Sequence, residues 1–164
     1  MPQQDGRRLT LTVTSAWDGE KIDTLLRREL GLSGTVIKRI KWLEDGILLD
    51  GVRAITGQRA AAGQVLSVRV DDPERPEAVA PTPGPVDVVY EDQDLLVVNK
   101  APGVPVHPGP GNGRDTLCNY IAYDYQQKGK TAGIHPVHRL DKGTSGLLVV
   151  AKHPHAQEKL KGQM

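Results

Sequence analysis

The stretch HRLDKGTSGLLVVAK, from His138 to Lys152, decides how the second half of the chain folds. It begins with three polar side chains in four positions, passes through a Gly, Thr and Ser segment, and ends in a continuous apolar run. A short apolar run that is bounded by turn residues is typical of a strand buried in a sheet. The stretch therefore predicts an exposed polar loop that is held in place by a buried strand, LLVVAK.

The residues around this stretch predict the rest of one sheet. VDVVYED and LLVVNK are interpreted as two strands joined by a turn at 91–94, and a long Gly/Pro loop follows up to 115. A helix is predicted over 115–127, and another begins at Pro154. LLVVNK and LLVVAK resemble an internal repeat, but the sequences around them do not match. We interpret them as two buried strands of one sheet, apolar on both faces.

The first 70 residues show a second, separate pattern. RLTLTVT alternates apolar and polar residues and predicts a half-buried strand. Two short helices are predicted next, at about 19–30 with Asp18 as its cap and at about 34–44 with Ser33 as its cap and Gly46 as its stop. ILLDGVRA predicts a hairpin around Asp50-Gly51, and a final strand is predicted over Val65–Val70.

Composition and length bound the organisation of the chain. The 164 residues allow one or two small domains, and a segment with five prolines, 71–85, reads as a linker between units at 1–70 and 86–164. The start of the chain has no apolar signal segment, and no apolar run approaches the roughly 18 residues of a membrane span. One cysteine, Cys118, excludes an internal disulfide framework. We expect a soluble, cytoplasmic protein.

The near-neutral charge, 21 Lys and Arg against 20 Asp and Glu, hides an uneven distribution. The two ends of the chain are basic, and 71–94 is strongly acidic. In the first unit, Lys38, Lys41 and Trp42 lie on the helix face opposite its apolar stripe. A basic face with an aromatic ring is one way in which proteins hold phosphates and stack bases. A solvated helix with Trp42 packed on the hairpin explains the same pattern, and periodicity alone slightly favours this alternative.

Several motifs of the second unit are weak matches to known sites. The Gly-rich GPGNGRDT, 109–116, lacks the Lys of a phosphate-binding loop. HRLD is not accompanied by the other signatures of a protein kinase. His135, His138, His153 and His155 suggest a metal ion, but no Cys pair and no H-E-x-x-H motif supports zinc. We therefore expect no metal.

VHRLDKGTSGLLVVAK, together with YEDQDLLVVNKAPGVPVHPGPGNGRDTL, strongly resembles the RluA-type pseudouridine synthases. The resemblance covers residues 86 to about 162, and both segments occur in the expected order. Small departures are Ala101-Pro102 inside the N-K-x-x-G turn and Gly143, where the family frequently has an acid. The resemblance implies an enzyme that isomerises uridine in ribosomal or transfer RNA without a cofactor.

The segment from Gly19 to Val68 resembles the small RNA-binding fold named after ribosomal protein S four, a domain that members of the first family commonly carry at the N-terminus. Lys21-Ile22-Asp23 stands where that fold usually has Arg-Leu-Asp. The two resemblances together predict an α+β protein. A small helix-plus-hairpin RNA-binding domain would precede the N-terminal part of a mixed or antiparallel-sheet pseudouridine synthase domain.

The family resemblance implies that Asp141 is the reactive carboxylate. It also implies that Arg139 helps the uridine leave its stack, either by filling the vacated position or by pairing with the aspartate. The positive charges of Arg139 and Lys142 are expected to keep the carboxylate ionised. A loop aspartate that caps a turn is the structural alternative. Residues expected to contact structured RNA are Lys21, Arg27, Arg28, Lys38, Arg39, Lys41, Trp42, His138 and Lys142.

In this family a Tyr and a later basic residue complete the active site, and neither segment occurs before Met164. We therefore expect the 164-residue chain to be a fragment or a degenerate form, and to bind RNA as a monomer without turnover. An RNA-binding module that has lost catalysis is the alternative function. A protein unrelated to RNA, with accidental motifs, is a third.

Overall fold

The computed structural model describes residues 6–71, 79–111, 113–130 and 132–164. The chain divides into two compact units, Met1–Asp71 and Asp72–Met164. Half of the predicted linker, residues 72–78, lies outside the described residues. Both described units combine helices with an antiparallel sheet, which confirms the α+β class.

The first unit packs two short helices on a four-stranded sheet with the order β1-β4-β2-β3. Its core is formed by apolar side chains from every layer, among them Ile22, Leu25, Val36, Ile40 and Leu66. The elements are β1 (Arg8–Thr12), α1 (Ile22–Arg28), α2 (Gly34–Ile40), β2 (Ile47–Leu49), β3 (Val52–Arg53) and β4 (Val65–Arg69), with a 3-10 turn at Ser15–Trp17.

Both helices are shorter than the sequence predicts. Asp18 does not cap α1, because its carboxylate accepts a hydrogen bond from the amide of Ala62 instead, and α1 begins after Lys21. Ser33 does cap α2, since its hydroxyl accepts from the amide of Val36 at 3.2 Å. The apolar stripes and the start of α2 are correct, whereas the predicted start of α1 and the predicted ends of both helices are wrong by two to four residues.

The predicted hairpin at Asp50-Gly51 is confirmed. Both residues have positive φ, 49° and 78°, as a two-residue turn between twisted strands requires. The turn places Leu49 opposite Val52 and fixes the register of β2 with β3. On its other side β2 pairs with β4, where Leu49 faces Leu66.

The second unit contains a sheet with the order β5-β6-β8-β7 and two helices. The central pair, β6 with β8, is antiparallel and runs from Leu95 opposite Ala151 to Lys100 opposite Gly146. LLVVNK and LLVVAK are therefore neighbouring strands, consistent with their interpretation as parts of one sheet. The elements are β5 (Val88–Glu91), β6 (Leu95–Lys100), α3 (Leu117–Gln127), β7 (His135–Pro136), β8 (Gly146–Ala151) and α4 (Pro154–Gln163).

Local side-chain hydrogen bonds set the ends of these elements. Asp92 accepts from the amides of Asp94 and Leu95 and closes the predicted turn between β5 and β6. Thr116 forms a capping box with Asn119, so α3 begins at Leu117, two residues after the predicted start. The ring of His153 caps α4, which begins at Pro154 as predicted.

The prediction that β6 and β8 are buried on both faces is wrong for the described residues. Leu96, Val98, Leu148 and Val150 are fully buried in the core beneath α3. The opposite face is only partly covered, and Leu147 is 57% exposed there. A continuous apolar run therefore did not indicate two covered faces in this unit. Across the described residues, no helix is long and apolar enough to cross a membrane.

The end of α2 depends on a close backbone approach at Gly46. A Cβ atom on Gly46 would collide with the carbonyl group of Ile40, the last residue of α2. Gly57 offers a matched control, because a Cβ there would meet nothing within 4 Å.

We predict that Gly46→Ala lowers the free energy of unfolding of the first unit by about 2 kcal/mol or more, the scale of overpacking a tight site. Gly57→Ala should change it by less than about 0.5 kcal/mol. Urea unfolding followed by tryptophan fluorescence measures this unit selectively, since Trp17 and Trp42 both lie in it. Equal stability of the two variants would contradict the close approach.

Candidate active site

The polar loop predicted by HRLDKGTSG lies where β7 ends and β8 begins, over residues 139–145. Asp141 is exposed, and its carbonyl accepts a hydrogen bond from the amide of Thr144 at 2.9 Å. The loop thus makes a tight turn directly after Asp141. This geometry presents the carboxylate to solvent at the end of the sheet where β8 begins.

The side chains of Arg139 and Lys142 are exposed on the same loop. Within the described ranges, neither of them forms an ion pair with Asp141 within 4.0 Å. The expectation that these two charges support the carboxylate directly therefore stays a prediction. Their exposure leaves both cations accessible to a polyanion.

His138 is half-buried, and its ring contacts the backbone. Its Nε2 atom accepts a hydrogen bond from the amide of Val149 at 3.0 Å. The accepting nitrogen is unprotonated, so the proton of a neutral ring lies on Nδ1. His138 therefore anchors the start of the 139–145 loop to β8, a structural function that the sequence pattern did not indicate.

Lys100 is the residue near Asp141 that sequence reasoning missed. Its side chain is 1% exposed, and its Nζ atom donates to the carbonyls of Ala101, Val104 and Lys142 at 3.1, 2.8 and 3.1 Å. Burial lowers the pKa of Lys100, and the charge of Asp141 partly offsets this effect. The alternation of buried Leu96 and Val98 with period two, continued to Lys100, was the available signal.

The opposite end of the same two strands carries a closed group of charges. Glu91 accepts from the ammonium groups of Lys130 and Lys152 at 2.6 and 2.8 Å. Burial alone would raise the pKa of Glu91, but the two hydrogen bonds lower it. Both ammonium groups also lie 5.9 Å from the ring of Tyr125, and burial raises the pKa of that phenol. These charged groups pair with one another, and we interpret them as stabilising the fold.

The four histidines that suggested a metal do not form one cluster in the described part of the chain. Nε2 of His153 lies 2.8 Å from Asp94, and its ring stacks on that of His155 with centroids 6.2 Å apart. Burial lowers the pKa of His155. His135 belongs to β7, and His138 contacts Val149. Within the described residues, no three His, Cys, Asp or Glu side chains are grouped to hold a metal ion.

A cavity of about 490 Å³ opens between α3, α4 and β7. His107, Cys118, His135 and Gln157 contribute its polar groups. Burial lowers the pKa of His107, and the charges of Arg139 and Lys161 add to the effect. Asp141 does not line the cavity, so we do not assign the reactive site to it.

In the first unit, the face of α2 that is turned from the core carries the predicted basic group. Lys38 on α2 and Lys41, the residue that caps its C-terminal end, are exposed, and the next residue, Trp42, is 77% exposed. The ammonium of Lys41 lies 5.0 Å from the centroid of the Trp42 ring. The alternative in which Trp42 packs on the hairpin is therefore wrong.

The other predicted RNA contacts of the first unit are less available. Arg27 pairs with Asp23 at 3.0 Å and Arg28 with Glu29 at 2.8 Å, so part of their charge is neutralised. Two nitrogens of Arg39, Nε and Nη2, are buried and have no hydrogen-bond partner in the described part of the chain. Lys21 is exposed, and its backbone forms an isolated β-bridge with Arg59. Of the predicted contacts within residues 6–71, Lys38, Lys41 and Trp42 form an exposed group around the end of α2.

Comparison with known proteins shows which family the segment around Asp141 is similar to. Residues 94–164 match the family model of RNA pseudouridylate synthase, which includes the 139–145 loop and the β6–β8 pair. Through this segment the chain is similar to the RNA pseudouridine synthases, a family whose members are isomerases by reaction.

Curated relatives carry the similarity across most of the chain. The uncharacterized RNA pseudouridine synthase YlyB of Bacillus subtilis is 36% identical over 162 residues, which is 96% of this chain and 52% of that protein. The ribosomal large subunit pseudouridine synthase D of Neisseria meningitidis is 34% identical over 158 residues, 96% of this chain and 42% of that protein. The chain thus spans about half the length of the curated relatives it matches.

Among solved structures, human RNA pseudouridylate synthase domain containing 1 matches with 30% identity and a TM-score of 0.36. The match covers 51% of this chain and 27% of that one.

The contact between His138 and Val149 generates a local prediction. We expect His138→Ala to leave the Val149 amide without its acceptor, at a cost of about 1 kcal/mol. Hydrogen exchange of the Val149 amide, followed by NMR, should then be about fivefold faster in the variant, whereas exchange of the Leu148 amide in the same strand should not change. Equal acceleration of both amides would show a global loss of stability and would contradict a specific anchor.

Proposed function

We propose that this chain supplies the RNA-binding unit and the carboxylate-bearing part of an RNA pseudouridine synthase that acts on ribosomal or transfer RNA. The observation that carries the proposal is Asp141, exposed on a loop that the β6–β8 pair anchors. The family match over 94–164 supports it. We propose that the protein works as a monomer in the cytoplasm.

The reaction is chemically compatible with a single carboxylate. The bond between ribose and the ring nitrogen of uracil breaks, the base turns, and a bond from ribose to ring carbon 5 forms. The proton on carbon 5 moves to solvent, and the ring nitrogen gains one. No atom is gained or lost overall and no electrons are transferred, so the reaction needs no cofactor. Asp141 would act either as a nucleophile at the ribose or as a base.

The target uridine must leave its stack before the carboxylate can reach the ribose, at a cost of a few kcal/mol. Arg139 is exposed two residues before Asp141, where its guanidinium can occupy the vacated position or pair with phosphate. Lys142 is exposed on the other side of Asp141. We assign stack opening to Arg139 and phosphate contact to Lys142.

In the first unit, the α2 face with Lys38, Lys41 and Trp42 is proposed as the surface that holds structured RNA. Two exposed ammonium groups suit phosphates, and an exposed indole suits stacking on a base. The resemblance to the small RNA-binding fold of ribosomal protein S four supports this assignment. Arg27, Arg28 and Lys21 would contribute at its margin, and Arg39 through its remaining donor.

We predict that Asp141→Asn lowers turnover by about 100-fold or more in the natural protein that carries these residues, because it removes the charge and keeps the shape. RNA affinity should change by less than about twofold. Tritium release from 5-tritiated uridine in ribosomal or transfer RNA measures turnover. Asp115→Asn, a change at another exposed carboxylate of the same unit, is the matched control.

An Asp141→Asn variant that keeps its rate would exclude Asp141 as the reactive group. A wild-type protein that binds these RNAs without tritium release would instead favour the alternative, an RNA-binding module that has lost catalysis. The 164-residue chain spans about half the length of its relatives. We therefore use it for RNA-binding experiments, and we measure turnover on the natural protein that carries these residues.

For binding, we predict that Lys38→Ala/Lys41→Ala weakens the affinity for structured RNA and flattens its salt dependence. Each lost phosphate contact should reduce the slope of log affinity against log salt by about 0.7 to 0.9. Trp42→Ala should weaken binding with little change in slope, because stacking releases no counterions. Fluorescence anisotropy with a labelled RNA hairpin measures both quantities.

Lys128→Ala/Lys159→Ala removes the same charge from exposed positions of the second unit and serves as the control. If this control and the α2 double variant flatten the slope equally, the effect reflects net charge. The α2 face would then not be the RNA surface.

A further inference from the structure

Lys100 is among the largest fully buried side chains described in the protein, and its ammonium is not paired with a carboxylate. Removing an ammonium group from water costs several kcal/mol, so such a group persists where its protons are all used. The three protons of Nζ match three backbone carbonyls, those of Ala101, Val104 and Lys142. Lys100 is thus satisfied by main-chain atoms alone.

These three carbonyls belong to two loops that are distant in sequence. Ala101 and Val104 lie in the loop after β6, whereas Lys142 lies in the 139–145 loop. The carbonyl of Lys142 accepts a second hydrogen bond, from the amide of Gly103 at 2.7 Å. Two donors, Lys100 at the end of β6 and Gly103 in the loop after it, therefore fix the position of the residue directly after Asp141.

We propose that Lys100 is a positioning residue for the reaction, because its buried ammonium holds the backbone of the 139–145 loop so that Asp141 points at the ribose. This inference rests on the proposed function. Lys100 does not touch the substrate in this arrangement. It acts through the carbonyl of Lys142, and we call the Nζ atom with its three acceptors the Lys100 clamp.

The clamp fixes the loop and leaves the Asp141 side chain accessible. An ion pair with Arg139 or Lys142 would also hold the carboxylate, but it would occupy the oxygens that the reaction needs. The charge of Asp141 raises the pKa of Lys100 against the larger effect of burial, so the two groups interact without direct contact. A shift of about 1 Å in a catalytic group can cost about 100-fold in rate.

The test compares Lys100→Met with wild type in the natural protein that carries these residues. Methionine keeps an unbranched side chain and removes the donors. We expect kcat for tritium release from uridine to fall 10- to 100-fold while KM for the RNA stays within twofold. The amide of Gly103 should exchange at least tenfold faster, and the amides of Val98 and Leu148, inside the ladder, should change less.

Lys159→Met is the matched control, since it removes an exposed lysine from α4 of the same unit. It should leave kcat, KM and the exchange of Gly103 unchanged. Lys100→Met with a kcat within twofold of wild type would overturn the proposal. A fall in kcat accompanied by uniformly faster exchange throughout the second unit would also overturn it, because Lys100 would then be a stability residue only.

A measurement on the wild-type chain tests whether the Lys100 clamp exists, even if the Lys100→Met variant does not fold. A buried ammonium with three acceptors exchanges its protons slowly, so NMR of 15N-lysine-labelled protein should show one protected ammonium signal. Through-bond couplings should connect it to the carbonyls of Ala101, Val104 and Lys142. Absence of this signal overturns the clamp. If the wild-type protein releases no tritium, the proposed function fails, and the ammonium signal alone decides the clamp.

Discussion

The antiparallel register between β6 and β8 is the constraint on which the second unit depends. Six consecutive pairs, from Leu95 opposite Ala151 to Lys100 opposite Gly146, fix which residues meet at each end. A shift of one residue would turn Lys100 and the buried Leu96 and Val98 to the other face of the sheet. The burial of alternate apolar side chains beneath α3 prevents such a shift. Hydrophobic packing therefore sets the position of the polar groups.

The two ends of this ladder have opposite chemistry. At the β5–β6 turn, Glu91 is engaged by Lys130 and Lys152, and Asp94 faces His153. The charges at this end have partners from several elements and hold the turn, α3 and the start of α4 around the sheet. At the other end, the ladder delivers Lys100 to the 139–145 loop, where Asp141 remains exposed. At one end of the ladder the charged groups pair with one another, and at the other end the carboxylate of Asp141 is exposed to solvent.

Patterns of apolar residues predicted the strands and the core well, because burial of alternate or continuous apolar residues is a local property of the sequence. The start of α1 was predicted poorly, because tertiary contacts decide it. The amide of Ile22 donates to the carbonyl of Gln58, and the amide of Ala60 donates to that of Glu20. These bonds hold residues 20–22 against the 58–60 segment, so α1 cannot begin at residue 19 as its stripe suggested.

For the candidate site, the sequence identified the residues of the loop and missed what holds them. Asp141 and Arg139 were recognisable because their motif is contiguous. Lys100 lies 41 positions before Asp141, and its acceptors are backbone carbonyls, which no residue pattern displays. The period-two alternation through Leu96 and Val98 was visible, but the lysine was interpreted as part of a turn motif. His138 was likewise assigned to RNA, whereas its Nε2 atom contacts the Val149 amide.

A reactive carboxylate on a surface loop has to be both precisely placed and free. Side-chain partners of the carboxylate would fix its position but would also occupy its oxygens. Each such hydrogen bond stabilises the carboxylate in the ground state and makes it less reactive. In the described part of the chain, placement comes from the backbone instead: Lys100 and Gly103 hold the carbonyl of Lys142, Thr144 holds that of Asp141, and His138 holds the amide of Val149. The loop is fixed before and after Asp141 by main-chain contacts. Its carboxylate oxygens and the cations beside it stay exposed, and under the proposed function the carboxylate acts on the ribose and the cations contact the RNA backbone.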